Sequence, residues 1–245
     1  MLKFISFLIA LMFTMQVSAQ TFKATQQKAA RVKSAYSEKW EDLKSDLKKK
    51  GIKENFELFM RVFKEDKIVE VWLKSKEEKE FRLFKTYAIC ASSGELGPKR
   101  KQGDGQVPEG FYSIAVFNPY SSYHLSMGIN YPNASDKIIG TGNLGGDIMI
   151  HGSCVTIGCM PLTDAYIKEA YVLCVEARNN GQQTIPVHIF PTKMDQKGMT
   201  FLAETNPKQV DFWKNMQTGY NYFEQKKQLP KVTVDKKGKY VFSEK

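Results

Sequence analysis

The sequence predicts an α+β fold that is mostly sheet, and three observations support this. Several short segments alternate apolar and polar residues, as strands do. Glycine and proline punctuate residues 92–133 densely, which indicates shaped loops between short strands. Only a few stretches carry the three- and four-residue apolar spacing of helices. Many short strands with few helices are typical of a domain built around a sheet.

The predicted elements follow in order along the chain. Residues 22–50 place apolar side chains at helical spacing and end at Gly51, so they predict an amphipathic helix. Segments 56–63 and 67–73 flank a charged turn and predict a β-hairpin. A further helix is predicted over about 164–178, capped by Thr163 or Asp164. The other predicted elements are strands at 81–91, 111–117, 122–130, 148–150 and 187–190, a polar helix after residue 192 and an edge strand over 231–242.

The first nineteen residues predict a cleaved signal peptide. A single lysine precedes an apolar run, and Val17-Ser18-Ala19 supplies the small residues that signal peptidase requires, with Gln20 as the mature N-terminus. The run is too short for a spanning helix, which needs about 20 residues. A retained N-terminal anchor is the alternative. We therefore expect an exported, periplasmic protein.

The remaining chain divides into three predicted segments. Residues 20–55 form an N-terminal helical segment, 56–192 the main domain, and 193–245 a C-terminal helix with an edge-strand extension. Residues 1–19 contain one lysine and no acid, so cleavage lowers the net charge from +10 to +9. A basic exported protein is compatible with anionic wall polymers. Nucleic acid is not an expected partner, because the basic residues are scattered rather than clustered with aromatics. Membrane contact of the mature protein is not expected either.

Two of the four cysteines are predicted to be structural. Cys174 lies on the apolar stripe of the helix over 164–178, and Cys90 ends a strand-like run, so both are expected in the core. A Cys90–Cys174 disulfide stays open for an exported protein.

The strongest chemical signal lies in residues 150–159. A strand ends in His151, a turn begins at Gly152, and Cys159 comes just before a helix. A nucleophilic cysteine needs a base within hydrogen-bond reach, and the eight-residue spacing allows the chain to fold back. Gly158 lets the backbone approach a substrate carbonyl, so its amide and that of Cys159 would form an oxyanion hole. The pattern favours Cys159 as nucleophile and His151 as its base.

Other interpretations of this segment are open from the residues alone. Cys154 and Cys159 would form a small disulfide loop in an oxidising compartment. Alternatively, His151, Cys154 and Cys159 would bind zinc with His124 or His188 as the fourth ligand, although their spacing is irregular for such a site. The residues would otherwise simply form a tight turn. His188 is flanked by apolar residues and is expected to be structural.

The segment resembles the catalytic motif of the L,D-transpeptidase (YkuD-type) family, in which a strand ending in His-Gly is followed by Ser/Thr-x-Gly-Cys. The matching residues are His151-Gly152 and Thr156-Ile157-Gly158-Cys159. Residues 103–112 resemble the family's P-x-G-x-[FY] loop and strand. Residues 122–126 and 129–133, with the intervening Cys154, are similar to the YafK-like branch. The likeness covers about 56–190 and implies a YkuD-like sandwich or barrel-like mixed sheet with flanking helices.

The resemblance implies a mechanism on peptidoglycan stem peptides. Cys159 would form a thioester with a carbonyl adjoining meso-diaminopimelate, His151 would move the proton, and the backbone carbonyl of Gly152 would orient the imidazole. An amine acceptor gives transpeptidation, whereas water gives hydrolysis, including release of a wall-linked lipoprotein. No metal or organic cofactor is implied. The candidate substrate-binding residues are His124, Tyr123, Asn143 and Thr156, with His124 equally suited to be a structural strand residue.

Two departures from the family pattern bear on recognition of the donor stem. Typical members have His before Gly-Cys and Arg shortly after it, where this chain has Ile157 and Pro161 or Leu162. Arginine is suited to bidentate carboxylate contacts, so its absence means that the family's standard recognition of the donor stem does not carry over to this chain. The YafK-like branch that the chain resembles includes an enzyme that hydrolyses the bond between an outer-membrane lipoprotein and the wall, so hydrolysis stays open beside transpeptidation. An inactive wall-binding module and a disulfide-bearing or redox periplasmic protein are the alternatives from other classes.

Overall fold

The computed structural model describes residues 21–244, so the predicted signal peptide over 1–19 lies outside the described residues. Two helices, α1 (Phe22–Gln26) and α2 (Ala30–Lys49), replace the single helix predicted over 22–50. Ala29 interrupts the helix because its backbone is extended, with φ −76° and ψ 127°. The predicted apolar face of α2 is confirmed by the buried residues Val32, Tyr36, Leu43 and Leu47.

Eight strands form one mixed sheet. They are β1 (Phe56–Phe63), β2 (Ile68–Ser75), β3 (Arg82–Ala88), β4 (Gly110–Asn118), β5 (Ser126–Ile129), β6 (Met149–His151), β7 (Met160–Pro161) and β8 (Pro186–Phe190). Their order is β3-β2-β1-β8-β4-β5-β6-β7. The predicted hairpin is confirmed, because β1 and β2 pair antiparallel along their whole length. The β1–β8 and β6–β7 pairs are parallel.

The sheet curls until its two edges meet. The backbone N–H of Cys90, just after β3, donates to the carbonyl of Pro161 in β7 at 3.1 Å. The segment that follows one edge strand therefore lies beside the other edge strand, although the two are far apart in sequence. This closure places residues 89–96 next to the motif over 151–159.

Helices flank the sheet. The helix α3 (Ala134–Ile139) was not predicted, and a capping box of Asn133 and Asp136 begins it. The helix α4 (Asp164–Asn179) starts where predicted, with the Thr163 hydroxyl accepting from the amide of Tyr166. Two helices, α5 (Gln196–Thr205) and α6 (Val210–Lys226), replace the single polar helix predicted after residue 192. Pro207 separates them, since it begins a short 3-10 turn.

Two layers of apolar packing hold the sheet. On one side α2 and α4 bury aliphatic residues against the strands, including Leu43 and Ile167. On the other side α6 packs through Trp213 and Met216 together with a hairpin of β9 (Lys231–Val234) and β10 (Tyr240–Ser243). The prediction of one edge strand over 231–242 was therefore wrong. Residues 235–239 reverse the chain, and β9 and β10 on either side of this turn form a separate two-stranded sheet.

The predicted α+β class, a curled mixed sheet with flanking helices, is confirmed. The predicted segment boundaries at 55/56 and 192/193 stay predictions. Within residues 21–244, none of the helices combines the length and apolar character needed to cross a membrane.

Candidate active site

The motif over 151–159 connects two neighbouring parallel strands. His151 ends β6, and Cys159 immediately precedes β7. The register pairs Ile150 with Met160, so Cys159 lies level with Met149, two residues before the histidine. Two residues of a strand span about 7 Å. The chain thus folds back between the two residues as predicted and brings them to the same corner of the sheet.

Cys159 is a free, half-buried thiol. Its Sγ accepts a hydrogen bond from the Met149 amide at 3.4 Å and lies 3.7 Å from the carbonyl oxygen of Asp147, to which the thiol donates. Burial raises the pKa of the Cys159 thiol above its ordinary value, the Met149 amide opposes this, and the nearby Asp147 charge adds to it. The sulfur is therefore protonated at neutral pH when no substrate is bound.

His151 is buried and held by its own neighbour. Its Nδ1 lies 2.5 Å from the carbonyl oxygen of Gly152. Because a carbonyl can only accept, this contact places the proton on Nδ1 and leaves Nε2 as the basic nitrogen. Burial lowers the pKa of His151, against the opposing effect of the Gly152 carbonyl. The imidazole is therefore a neutral base at pH 7.

Within the described residues, no hydrogen bond joins the imidazole of His151 to the thiol of Cys159. Across residues 21–244 the hydrogen bonds of Cys159 go to Met149, Asp147 and Thr156, and none reaches His151. Both groups are neutral, so the structure holds a base and an acid rather than an ion pair. Catalytic hydrogen bonds commonly form only when substrate is present.

The motif's second cysteine is oxidised. Cys154 forms a disulfide with Cys90, and both are exposed. The predicted alternatives of a Cys154–Cys159 or a Cys90–Cys174 bridge were wrong, as was the expected core position of Cys90. The zinc alternative fails because the Cys154 sulfur is not free to bind metal. Cys174 is fully buried and free, as predicted.

Thr156 organises the loop before the nucleophile. Its Oγ1 accepts hydrogen bonds from the amides of Cys159 at 2.8 Å and Gly158 at 3.2 Å, and the hydroxyl donates to the Cys159 carbonyl at 2.8 Å. The two amides predicted for an oxyanion hole therefore converge on one oxygen atom. Gly158 has φ +129°, and a Cβ there would lie 3.1 Å from the carbonyl oxygen of Gln106. A side chain at this position would strain the loop.

The other predicted substrate residues occupy different places. Tyr123 is 48% exposed, and its ring centroid lies 4.8 Å from that of His151. His124 packs behind Gly152, where its Nε2 is buried without a hydrogen-bond partner, and burial lowers its pKa. Asn143 is exposed and joins two loops, since its carbonyl accepts from the amide of Gln102 at 2.9 Å.

A small cleft of about 100 Å³ opens at Cys159. Its walls come from β1 and the following turn, with Lys64 and Lys67, and from the segment after β3, with Ser92 and Ser93. These residues were not predicted. The dense glycine pattern indicated shaped loops here, but only the closure of the sheet shows which loop faces the nucleophile.

The side chains at the positions that depart from the family pattern are apolar. Ile157 is 90% exposed, whereas Leu162 is fully buried. Among the residues that the structure describes, no group of three or more His, Cys, Asp or Glu side chains is placed to hold a metal ion.

Comparisons with known proteins identify the family of the chain. The L,D-transpeptidase catalytic domain (YkuD) matches residues 59–189. YafK of Escherichia coli (strain K12) is 38% identical over 188 residues, which is 76% of this chain and 74% of that protein. Among solved structures, the helical cell shape determining protein Pgp2 from Campylobacter jejuni has a TM-score of 0.46 and 19% identity, covering 74% of this chain and 73% of that one. Bd1075 of Bdellovibrio bacteriovorus has a TM-score of 0.42 and 19% identity, over 75% and 79%. The family match and the identity to YafK show that the chain belongs to the L,D-transpeptidase catalytic domain (YkuD) family.

Proposed function

We propose that this chain is an exported cysteine enzyme that transfers acyl groups at meso-diaminopimelate-containing stem peptides of peptidoglycan. Its family acts on peptidoglycan peptides. The observation that carries the proposal is that the two cysteines of the motif are in different chemical states. Cys154 is held in a disulfide, while Cys159 stays a free thiol at the cleft, close to a neutral His151.

The first half-reaction forms a thioester. The Sγ of Cys159 attacks the peptide carbonyl carbon, and the thiol proton passes to Nε2 of His151. The tetrahedral intermediate then collapses, the C–N bond breaks, and His151 returns the proton to the leaving amine. The Nδ1 contact to the Gly152 carbonyl supports this role, because it keeps Nε2 available and stabilises the imidazolium.

The negative charge on the acyl oxygen needs donors. The amides of Gly158 and Cys159 already converge on a single oxygen, that of the Thr156 hydroxyl. In our proposal the acyl oxygen takes this place in the transition state, and the hydroxyl turns aside. Preorganised amides of this kind contribute about 3–4 kcal/mol each to transition-state stabilisation in acyl transfer.

The acceptor decides the second half-reaction. An amine that attacks the thioester gives a transpeptide bond, and water gives a hydrolysed stem. Hydrolysis, releasing stem peptides or a wall-linked lipoprotein, is the second candidate because of one observation. The exposed Ile157 and the buried Leu162 offer no polar contact to a carboxylate where typical members have His and Arg.

Muropeptide analysis of isolated walls tests the proposal. Walls are incubated with wild type, with Cys159→Ala, and with Cys174→Ala, which removes the other free thiol as a matched control. We expect wild type and Cys174→Ala to change the muropeptide profile and Cys159→Ala to leave it as in buffer. New cross-links indicate a transferase, and released stems or tethers indicate a hydrolase. If none of the three proteins changes the muropeptide profile but wild type still binds to the walls, the result would favour an inactive wall-binding module.

Export is tested separately. We propose that signal peptidase cleaves after Ala19, which would place the mature protein in the periplasm. Terminal sequencing of the protein purified from the periplasmic fraction should begin at Gln20. A full-length chain found with the membrane would support the retained anchor instead.

A further inference from the structure

The N-terminal helical segment contacts the candidate active site through one side chain. Arg31 lies on α2, outside the residues 59–189 that match the family domain. Its Nη1 donates to the backbone carbonyls of Ser121 at 2.5 Å and His124 at 2.7 Å. A guanidinium is always charged and holds its donors in a rigid plane, so it fixes the two carbonyls relative to each other.

The segment that Arg31 holds, residues 121–125, touches the histidine from two directions. The Gly152 amide donates to the carbonyls of Tyr123 at 3.0 Å and Leu125 at 3.1 Å. The carbonyl of the same Gly152 holds Nδ1 of His151. In addition, the Tyr123 ring lies against the imidazole. A shift of residues 121–125 would therefore move both groups that orient the imidazole.

Two unfavourable features of residues 121–125 make this segment depend on contacts from outside it. His124 adopts a left-handed backbone with φ +66°, which is unfavourable for a residue with a side chain. Its Nε2 is also buried without a hydrogen-bond partner. Both features cost stability, so the turn depends on contacts from outside the segment. The Arg31 bonds supply such contacts at the strained residue itself.

The helix that carries Arg31 is anchored to α4. Glu38 pairs with Lys168 at 2.7 Å, and Tyr36 donates to Glu176 at 2.7 Å. At the N-terminal end of α4, the carboxylate of Asp164 accepts a hydrogen bond from the backbone amide of Ser153 at 2.9 Å. Both α2 and the loop after His151 are thus tied to the same helix, which makes α2 a fixed support.

We propose that Arg31 is a positioning residue for His151: by fixing residues 121–125 it sets the orientation and the tautomer of the imidazole. The N-terminal helical segment is then a working part of the active site rather than an appendage. The role of His151 in turnover rests on the proposed function, but its orientation does not.

The experiment compares Arg31→Met, which keeps the length and removes every donor, with Arg31→Lys and with the matched control Lys33→Met on the same helix. Nitrogen-resolved NMR of the imidazoles reports the tautomer and the pKa, and the chain has only three histidines to assign. In Arg31→Met we expect a mixture of His151 tautomers and a pKa that rises toward the ordinary value as burial loosens. Arg31→Lys should be intermediate, and Lys33→Met should match wild type.

Turnover of stem peptide is measured on the same samples. In Arg31→Met we expect kcat to fall about tenfold with KM changed less than twofold, since small misplacements of catalytic groups are costly. His151 resonances in folded Arg31→Met that match wild type would overturn the proposal. If they shift as expected while Cys159→Ala proves as active as wild type, Arg31 keeps its positioning role and the proposed chemistry fails.

Discussion

Cys90 and Cys154 form a disulfide that spans 64 residues of sequence and joins the segment after β3 to the loop between His151 and Cys159. The bond ties one wall of the cleft to the loop that carries the nucleophile. It therefore restrains the same loop whose geometry the proposed chemistry needs.

Removing this disulfide should destabilise the protein. For a loop of this length the chain-entropy estimate is about 4 kcal/mol in the free energy of unfolding. Urea unfolding of Cys90→Ser/Cys154→Ser against wild type measures it, with Cys174→Ala as the control that leaves the bond intact. Mass spectrometry of the denatured wild type should count two free thiols before reduction and four after. An equal unfolding free energy in the double variant, or four thiols before reduction, would contradict the pairing.

On the acid side of the pH profile, kcat/KM should decline only below the ordinary histidine pKa of 6.5. Burial lowers the pKa of His151 below its ordinary 6.5, so the imidazole stays neutral, and able to accept the thiol proton, at and above that pH. As the pH falls through the lowered pKa, the base is protonated and kcat/KM declines. Burial also raises the pKa of Cys159, so alkylation of the free enzyme by iodoacetamide should stay slow near pH 7.

A pH profile of kcat/KM and of the alkylation rate tests both statements. A resting thiolate–imidazolium pair would instead give an acid limb set by the thiol and fast alkylation down to low pH. That result would contradict the neutral resting state.

Thr156→Val should impair catalysis more than stability. Valine keeps the shape but loses the oxygen that accepts from Gly158 and Cys159 and donates to the Cys159 carbonyl. We expect kcat to fall about 10- to 100-fold, because without the hydroxyl the two loop amides are no longer oriented toward one point before the acyl oxygen arrives there, and the free energy of unfolding to fall by about 1–3 kcal/mol. Thr156→Ser retains the hydroxyl and should keep most activity. Valine and serine variants with equal kcat would show that the hydroxyl is not needed.

Lys64 should hold the wall of the cleft. Its buried Nζ lies 2.8–3.0 Å from four acceptors, the carbonyls of Glu95, Gly97 and Val107 and the carboxylate of Glu109, which share its three N–H donors. Lys64→Met leaves Glu109 buried without its cation, which costs about 3–5 kcal/mol in unfolding free energy. Lys64→Met/Glu109→Gln removes the stranded charge and should recover part of that loss. Thermal and urea unfolding measure both, and additive losses in the double variant would contradict the coupling.

Local patterns predicted the local features. The alternation over 56–73 gave the β1–β2 hairpin, and Thr163 caps α4 as its position before the apolar stripe indicated. The strand that ends in His151 and the turn after it also lie as predicted, whereas the short strand β7, which was not predicted, stands between Cys159 and the helix α4. Each of these depends on interactions between residues close in sequence.

The missed features depend on contacts between distant residues. The Cys90–Cys154 bond and the cleft wall at Ser92 and Ser93 exist because the sheet curls until its edges meet, which no local period encodes. The contact of Arg31 with Ser121 likewise spans 90 residues. The helix α3 was missed for another reason, since six residues are too few to show a helical period, although Asn133 and Asp136 carried a capping signal.

Trapping the acyl-enzyme tests the central claim most directly. The purified protein is mixed with a stem tetrapeptide containing meso-diaminopimelate, quenched in acid, digested and analysed by mass spectrometry. We predict an acyl adduct on the peptide that contains Cys159, absent from Cys159→Ala and unaffected by Cys174→Ala. Turnover of the tetrapeptide by Cys159→Ala at the wild-type rate would contradict the account.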